Sequence, residues 1–250
     1  MTRLRAGLLP ALIEPESLAG NVVVVTDILR ATTTICMALA HGAHAILPAP
    51  SIEQAQQIRD ELGAATVLGG ERGGLIIDGF DQGNSPREYT RSVVAGQTVV
   101  LCTTNGTVAM ESCRHAQRVL IGSFVNLSAT AAELADADSV TVVCAGTDRQ
   151  VTSEDVLFAG ALLDRIQRPD DWLDDQAQLA IHHWRQAVGQ IERSEKSLYD
   201  FFAESKGGCG LLANQFTEDV QFCAQIDLVD RVPELNLSDW SIQFRGNDAE

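Results

Sequence analysis

The sequence predicts an α/β protein with a three-layer α/β/α arrangement and a mostly parallel sheet. Two observations carry that expectation. Strand-length apolar runs alternate with segments of helical periodicity along most of the chain, the pattern of βα units whose sheet is covered on both faces. The first such run, Val22-Val-Val-Val25, is unbroken and β-branched, as a strand buried on both faces should be. No apolar run is long enough to span a bilayer.

After Val22–Val25, a helix is expected near Thr32–His41 and a second strand over Ala43–Leu47. Ser51-Ile-Glu-Gln54 reads as a capping box, opening a helix that buries Ile52, Ala55, Ile58 and Leu62. Short strands follow at Thr66–Leu68, Thr98–Cys102, Arg118–Ile121 and Val140–Cys144, with helices near Leu127–Ala135 and Glu154–Ile166. Val22–Ala55 and Val99–Ala129 run through the same series of strand, hydroxyl-rich turn, helix, strand and helix, which raises an internal duplication. Such a repeat would bring the two turns to one crevice. The whole of 1–250 is read as a single domain, with a core over about 20–167 and an appendage over about 168–250. Within that appendage, a helical apolar stripe runs from Leu173 through Trp184 to Ile191, and Leu198–Glu204 and Leu211–Cys223 read as helices. Ser205-Lys-Gly-Gly-Cys-Gly210 reads as a break between them. His182 and His183 lie beside the stripe and are left out of the site, because such a pair on a solvated helix face is usually inert.

A formal net charge of −16 argues against contact with a nucleic-acid backbone, which needs a basic face. A small anion can still be held where a few arginines and a divalent cation are placed locally. The six cysteines form no CxxC and no zinc spacing, and they sit among apolar residues, as reduced thiols of a cytoplasmic protein do. Met1-Thr-Arg-Leu-Arg5 is followed by no adequate apolar stretch, so a secretory signal is not expected. The composition leaves a homo-oligomer open.

Candidate chemistry gathers at strand ends. Asp27, Arg30 and Thr32-Thr33-Thr34 follow the first strand, where an open α/β sheet binds ligands and a helix start favours an anion. Aspartate is also a common N-cap, but capping needs neither Arg30 nor three adjacent hydroxyls. Gly69-Gly-Glu71-Arg72-Gly-Gly74 sets an acid and a base between glycines that allow close backbone approach. Downstream, Asn84 precedes Ser85-Pro86-Arg87-Glu88, which reads as a capping box with Arg87 in the first turn of a helix. A cation there opposes the helix dipole, which suits ligand binding or pairing with an acid. Thr103-Thr104-Asn105-Gly106-Thr107 gathers hydroxyls, an amide and a turn glycine as an anion cradle, without the lysine of a P-loop. Glu154 and Asp155 open a later helix, either favouring its dipole or offering oxygen ligands to Mg²⁺.

Taken in order, Asp27-Ile-Leu-Arg-Ala-Thr-Thr-Thr34, Gly70-Glu-Arg-Gly-Gly74, Gly83-Asn-Ser-Pro-Arg-Glu-Tyr89, Thr104-Asn-Gly-Thr107 and Glu154-Asp155 resemble the 2-phosphosulfolactate phosphatases, the ComB-like family. The resemblance covers about Val22 to Gly160, with a looser echo in Asp219 and Val232-Pro233. It implies the family's own α/β/α fold and a cytoplasmic, Mg²⁺-dependent hydrolysis of 2-phospho-3-sulfolactate to 3-sulfolactate and phosphate, a step of coenzyme M biosynthesis. On that reading Asp27, Arg30 and Glu71 are catalytic, and Asp27, Glu71, Glu154 and Asp155 supply the metal ligands. Arg30, Arg72, Arg87, Asn84, Thr32–Thr34 and Thr103–Thr107 hold phosphate, carboxylate and sulfonate. The nucleophile is metal-activated water or Asp27 itself. Water is favoured, because aspartyl-phosphate enzymes usually carry a second acid two residues on, and that position is Leu29.

Related chains acting on other phosphorylated hydroxy acids keep that substrate class open. A silent phosphometabolite-binding module would be hindered by carboxylates beside the phosphate. A nucleotide-binding protein would be expected to carry GxGxxG or a P-loop after a strand, and neither occurs.

Overall fold

A computed structural model describes residues 1–245. In chain order the first half comprises β1 (Arg3–Gly7), β2 (Val22–Thr26), α1 (Ala31–Ala40), β3 (Ala45–Pro48), α2 (Ile52–Leu62), β4 (Thr66–Arg72), β5 (Leu75–Ile76), α3 (Arg91–Val94), β6 (Thr98–Cys102) and α4 (Gly106–Glu111). The second comprises β7 (Arg118–Ile121), α5 (Leu127–Glu133), β8 (Ser139–Cys144), α6 (Ser153–Ile166), β9 (Trp172–Leu173), α7 (Asp175–Glu192), α8 (Leu198–Glu204), α9 (Lys206–Ala213), α10 (Thr217–Cys223), β10 (Pro233–Asn236) and β11 (Ser241–Phe244). The strands form one sheet in the order β5-β4-β6-β3-β11-β10-β7-β2-β8-β1-β9.

Alternate residues of β2 enter different cores. Val22 and Val24 pack with Leu120, Val142, Phe124, Phe158 and Leu162 on the side of α5, α6 and α7. Val23 and Val25 pack with Ile35, Leu39, Met110, Val99 and Ile121 on the side of α1 and α4. A third cluster joins Val100 and Cys102 of β6 to Ala55 of α2 and to Phe80. The sheet is thus the middle of three layers, and its β-branched runs are apolar on both faces for that reason.

Within the sheet, β4, β6 and β3 pair in parallel, as do β7, β2, β8 and β1. The hairpin β10–β11 lies between these blocks and pairs antiparallel with β7 on one side and β3 on the other. About that hairpin the strand order is symmetric, with β3 matching β7, β6 matching β2 and β4 matching β8. The segments β2-α1-β3-α2-β4 and β6-α4-β7-α5-β8 are therefore topological equivalents, one strand longer than the repeat legible in the sequence.

Four expectations need correction. Residues 86–88 form a turn, not a helix, and the Glu88 carboxylate accepts from the Gly83 amide 2.7 Å away instead of closing a capping box on Ser85. Ser205–Gly210 is not a break: Ser205 caps α9, its hydroxyl accepting from the Gly208 amide at 3.0 Å. The expected helix over Leu211–Cys223 is divided between the end of α9 and α10. The tail read as an appendage also supplies the two strands that join the parallel blocks. Its last five positions, 246–250, lie outside the described residues.

Leu235 of β10 is 2% exposed and sits in the same core as Val23 and Ile242. Leu235→Ala should cost about 2–5 kcal/mol and lower the midpoint of one cooperative urea transition. A separate early transition, with the rest of the chain unaffected, would make the tail an independent unit.

Candidate active site

The turns after β2 and β6 meet. A Cβ on Gly106 would stand 2.8 Å from Ala31 Cβ and 3.1 Å from Asp27 Oδ2, so only glycine lets α4 begin this close to Asp27. Beside them opens a pocket of about 250 Å³, lined by Asp27, Arg30, Glu71, Asn84, Thr104 and Asn105. Leu29, Gly73 and Gly74 also line it, and Thr147, Asp148, Lys206, Gly207, Gly210, Leu211 and Asn214 form the rest of its wall.

The same device fixes each turn. Glu71 accepts from the Thr104 amide at 2.8 Å through one oxygen and from the Gly74 amide at 2.9 Å through the other. Asp155 accepts from the Ile28 amide at 2.8 Å and from the Gly146 amide at 2.9 Å. Ile28 and Thr104 each stand two residues beyond their strand, where the ladder no longer supplies an acceptor. Asp155 is thereby a clamp outside the pocket wall, each of its oxygens already holding an amide. Glu71 lines the pocket but shares its oxygens with two amides.

Arg30 is 2% exposed, and the peptide joining it to Leu29 is cis. Its Nη1 donates to Asp219 Oδ2 at 2.6 Å and its Nη2 to the Gly74 carbonyl at 2.7 Å, while the guanidinium lies over the Phe216 ring. Asp219, in turn, accepts from the Ser85 hydroxyl at 2.7 Å. One guanidinium therefore faces the pocket in a fixed orientation, with its remaining N–H groups still to use.

The expected cradle is smaller than the sequence suggests. Thr32, Thr33 and Thr34 are fully buried, and their hydroxyls serve the fold. Thr32 donates to the Asp27 carbonyl and accepts from the Asp27 amide. Thr33 donates to the Ile28 carbonyl and pairs with Ser123. Thr34 donates to the Asn84 carbonyl at 2.8 Å, which anchors the loop that brings Asn84 to the pocket. Thr103 accepts from the Thr107 amide at 3.3 Å, and both residues are buried and outside the pocket wall. Thr104 and Asn105 reach the wall.

Both outlying arginines turn away. Arg72 donates to the Glu71 carbonyl and reaches Cys102 Sγ at 3.1 Å. Arg87 pairs with Glu218 and lies 3.8 Å from Asp219, outside the lining. Neither belongs to the pocket wall: Arg72 is held by the Glu71 carbonyl and Cys102, and Arg87 by the acids of α10. Lys206, Asp148, Thr147 and Asn214 are the wall residues that sequence reasoning misses. The Lys206 region reads as a glycine-rich break, and only an isolated echo at Asp219 marks the tail as part of the site.

Electrostatics single out Asp27. Burial first, then Glu71 and Glu154, push its carboxyl up to about 7, against the Ala31 amide and Arg30. Burial likewise raises Glu154, and burial with Glu154 and Asp27 carries Asp155 well above the carboxylate range. Glu154 Oε2 and Asn84 Oδ1 are buried without a hydrogen-bond partner. Gly207 packs closely against Glu154: a Cβ there would stand 2.4 Å from Glu154 Oε1.

A family model described as 2-phosphosulpholactate phosphatase matches residues 8–237. A probable 2-phosphosulfolactate phosphatase of Symbiobacterium thermophilum is 40% identical over 222 residues, covering 87% of this chain and 92% of that protein. Proteins of the same description from Thermotoga petrophila and Caldicellulosiruptor saccharolyticus are 38% and 36% identical. These alignments cover 85% and 88% of this chain, and 88% and 90% of the respective relatives.

A raised carboxyl favours folding while it stays protonated in the folded chain. Its contribution is full below the unfolded value of about 4 and is lost as pH rises through about 7. In chelator-treated protein, Asp27→Asn should therefore gain stability over the parent between about pH 5 and 8. Glu154 and Asp155 will keep part of the slope. Urea midpoints that run parallel for the two proteins across this range would mean that the Asp27 carboxyl is not raised.

Proposed function

The chain belongs to the 2-phosphosulpholactate phosphatase family, and we propose that it hydrolyses 2-phospho-3-sulfolactate to 3-sulfolactate and phosphate with the aid of Mg²⁺. The observation that carries this reading is the setting of Asp27: a buried carboxyl, raised further by two acid neighbours, on the wall of a small pocket beside a fixed guanidinium. Pure anion binding would gain nothing from carboxylates there. The cluster supports a site where a cation and a phosphoryl group are held together.

The residues present fit Mg²⁺. Asp27 and Glu154 are the better donors, because Glu154 Oε2 lacks any partner, whereas Glu71 and Asp155 already hold amides. Among the described residues no three His, Cys, Asp or Glu side chains gather into a closed ligand set. Such a set is not required for an ion that takes one or two carboxylates and keeps several waters. When bound, the ion would neutralise charge on the phosphoryl oxygens.

Arg30 would add donors to the same oxygens without reorganising, since Asp219 and the Gly74 carbonyl hold it in place beforehand. Asn84 and Asn105, on the same wall as Asp27, would orient the ester. Water is the attacking group in this reading, with Leu29 where a second acid would otherwise stand.

Phosphate release from 2-phospho-3-sulfolactate should be supported by Mg²⁺ and abolished by EDTA. Asp27→Asn should lower kcat by roughly a hundredfold or more while the protein remains folded. Turnover that EDTA leaves intact would reject the metal, and a preference for nucleotides would reject the substrate class. Asn105→Ala should weaken inhibition by inorganic phosphate about tenfold, as for one lost hydrogen bond to a charged group. Unchanged inhibition would make residues 103–107 a turn only.

A further inference from the structure

We propose that Lys206 binds the acidic group that the substrate carries beside its phosphate, a sulfonate or a carboxylate. The assignment rests on the phosphatase reading of the same pocket. It starts from a shortage of positive charge. The wall carries three acids, Asp27, Glu71 and Asp148, and only two cations, Arg30 and Lys206. Arg30 is committed, with its terminal nitrogens bonded to Asp219 and to the Gly74 carbonyl and the group 2% exposed beside Asp27. Arg72 and Arg87 lie off the wall, Arg72 bonded to the Glu71 carbonyl and Cys102 and Arg87 paired with Glu218. A substrate with a second and a third acidic group therefore meets one further wall cation, Lys206, held only by an exposed pair with Asp148.

Lys206 is placed for that contact. It opens α9, where Ser205 caps the helix and Gly207 packs on the Glu154 carboxylate, so its backbone is fixed against the acid cluster. Its own side chain remains 38% exposed, with the ammonium 3.3 Å from Asp148 Oδ2. A cation in the first turn of a helix opposes the dipole, and an exposed ion pair contributes little, so neither explains the lysine through stability. Asp148 is itself 70% exposed and lies in a turn where it and Arg149 adopt φ of 51° and 59°. That turn holds a carboxylate against Lys206 which an incoming sulfonate or carboxylate can replace.

The test compares the parent with Lys206→Gln and Asp148→Asn on three phosphate esters: 2-phospho-3-sulfolactate, 2-phospholactate, and isopropyl phosphate, which has no second acid. Lys206→Gln should lower the kcat/KM ratio of phosphosulfolactate to isopropyl phosphate about tenfold, chiefly through KM. If the ratio of phospholactate to isopropyl phosphate falls equally, Lys206 holds the carboxylate; if that ratio stays, it holds the sulfonate. Asp148→Asn should lower KM for the sulfonated ester, because the competing carboxylate is gone. Equal losses on all three esters, or ratios that do not move, would overturn the assignment. Calorimetric binding of 3-sulfolactate, which carries no phosphate, separates this inference from the one beneath it. Lys206→Gln should bind it about tenfold more weakly, and no difference between the proteins would overturn the role of Lys206. Binding through Lys206 without phosphate release from any ester would instead reject the phosphatase reading and leave Lys206 in place.

Discussion

Two carboxylates sit where the central strands run out of ladder partners, and the site depends on them. Glu71 and Asp155 each bridge an amide two residues past a strand, Thr104 or Ile28, to an amide of the loop after the neighbouring strand, Gly74 or Gly146. A buried amide left without an acceptor costs about 1–3 kcal/mol, and a carboxylate can satisfy two at once through charge-assisted bonds. Neutral acceptors could satisfy the same donors, but one side chain with two equivalent oxygens ties two loops into a fixed relation. The pocket owes its shape to that pairing.

The same choice creates an electrostatic demand. Clamping a turn with Glu71 sets an acid close to Asp27, whose carboxyl, already penalised by burial and also raised by Glu154, rises to about 7. Arg30 offsets only part of this, since Asp219 takes up one side of its guanidinium at 2.6 Å. Buried pairs of this kind are weak evidence for stability, because desolvation cancels most of the attraction. The Arg30–Asp219 pair is better understood as an orienting device, with Phe216 beneath the guanidinium and the Ser85 hydroxyl on the other carboxylate oxygen. An uncompensated set of acids beside an oriented cation is a setting that a divalent metal and an anionic ester would relieve together.

Much of this was legible in the chain. The β-branched run at Val22–Val25, the Ser51 cap and the strands at Thr98, Arg118 and Val140 stand where local pattern puts them, because each is buried on both faces or capped by its own neighbours. Asp27, Arg30, Glu71, Asn84, Thr104 and Asn105 do share one pocket. Local pattern fails where a partner lies far away in sequence. The hairpin β10–β11 alternates polar with apolar residues over only four positions per strand, and it becomes central only because β3 and β7 offer it edges. Thr32–Thr34 look like ligand hydroxyls until the carbonyls of Asp27, Ile28 and Asn84 are seen to accept from them. Ser85 resembles a cap because its partner, Asp219, stands 134 residues away. Lys206 sits among glycines, which read as a break until Glu154 is found packed on them.

The topological symmetry also shows why the two turns are not chemically alike. Thr26 and Cys102 end equivalent strands, so Asp27 and Thr103 occupy equivalent positions, yet one is an acid and the other a hydroxyl that accepts from the Thr107 amide. A second acid at position 103 would stand where a Gly106 Cβ, itself only 3.1 Å from Asp27 Oδ2, would lie 3.2 Å from the side-chain oxygen. It would push Asp27 further from ionisation. Keeping a single acid at this pair of positions lets one half of the fold concentrate negative charge while the other offers the wall residues Thr104 and Asn105. The pocket can then face a cation and an anion at the same time. The tail completes the asymmetry by adding Asp219 behind Arg30 and Lys206 at the rim, positions that have no counterpart in either half.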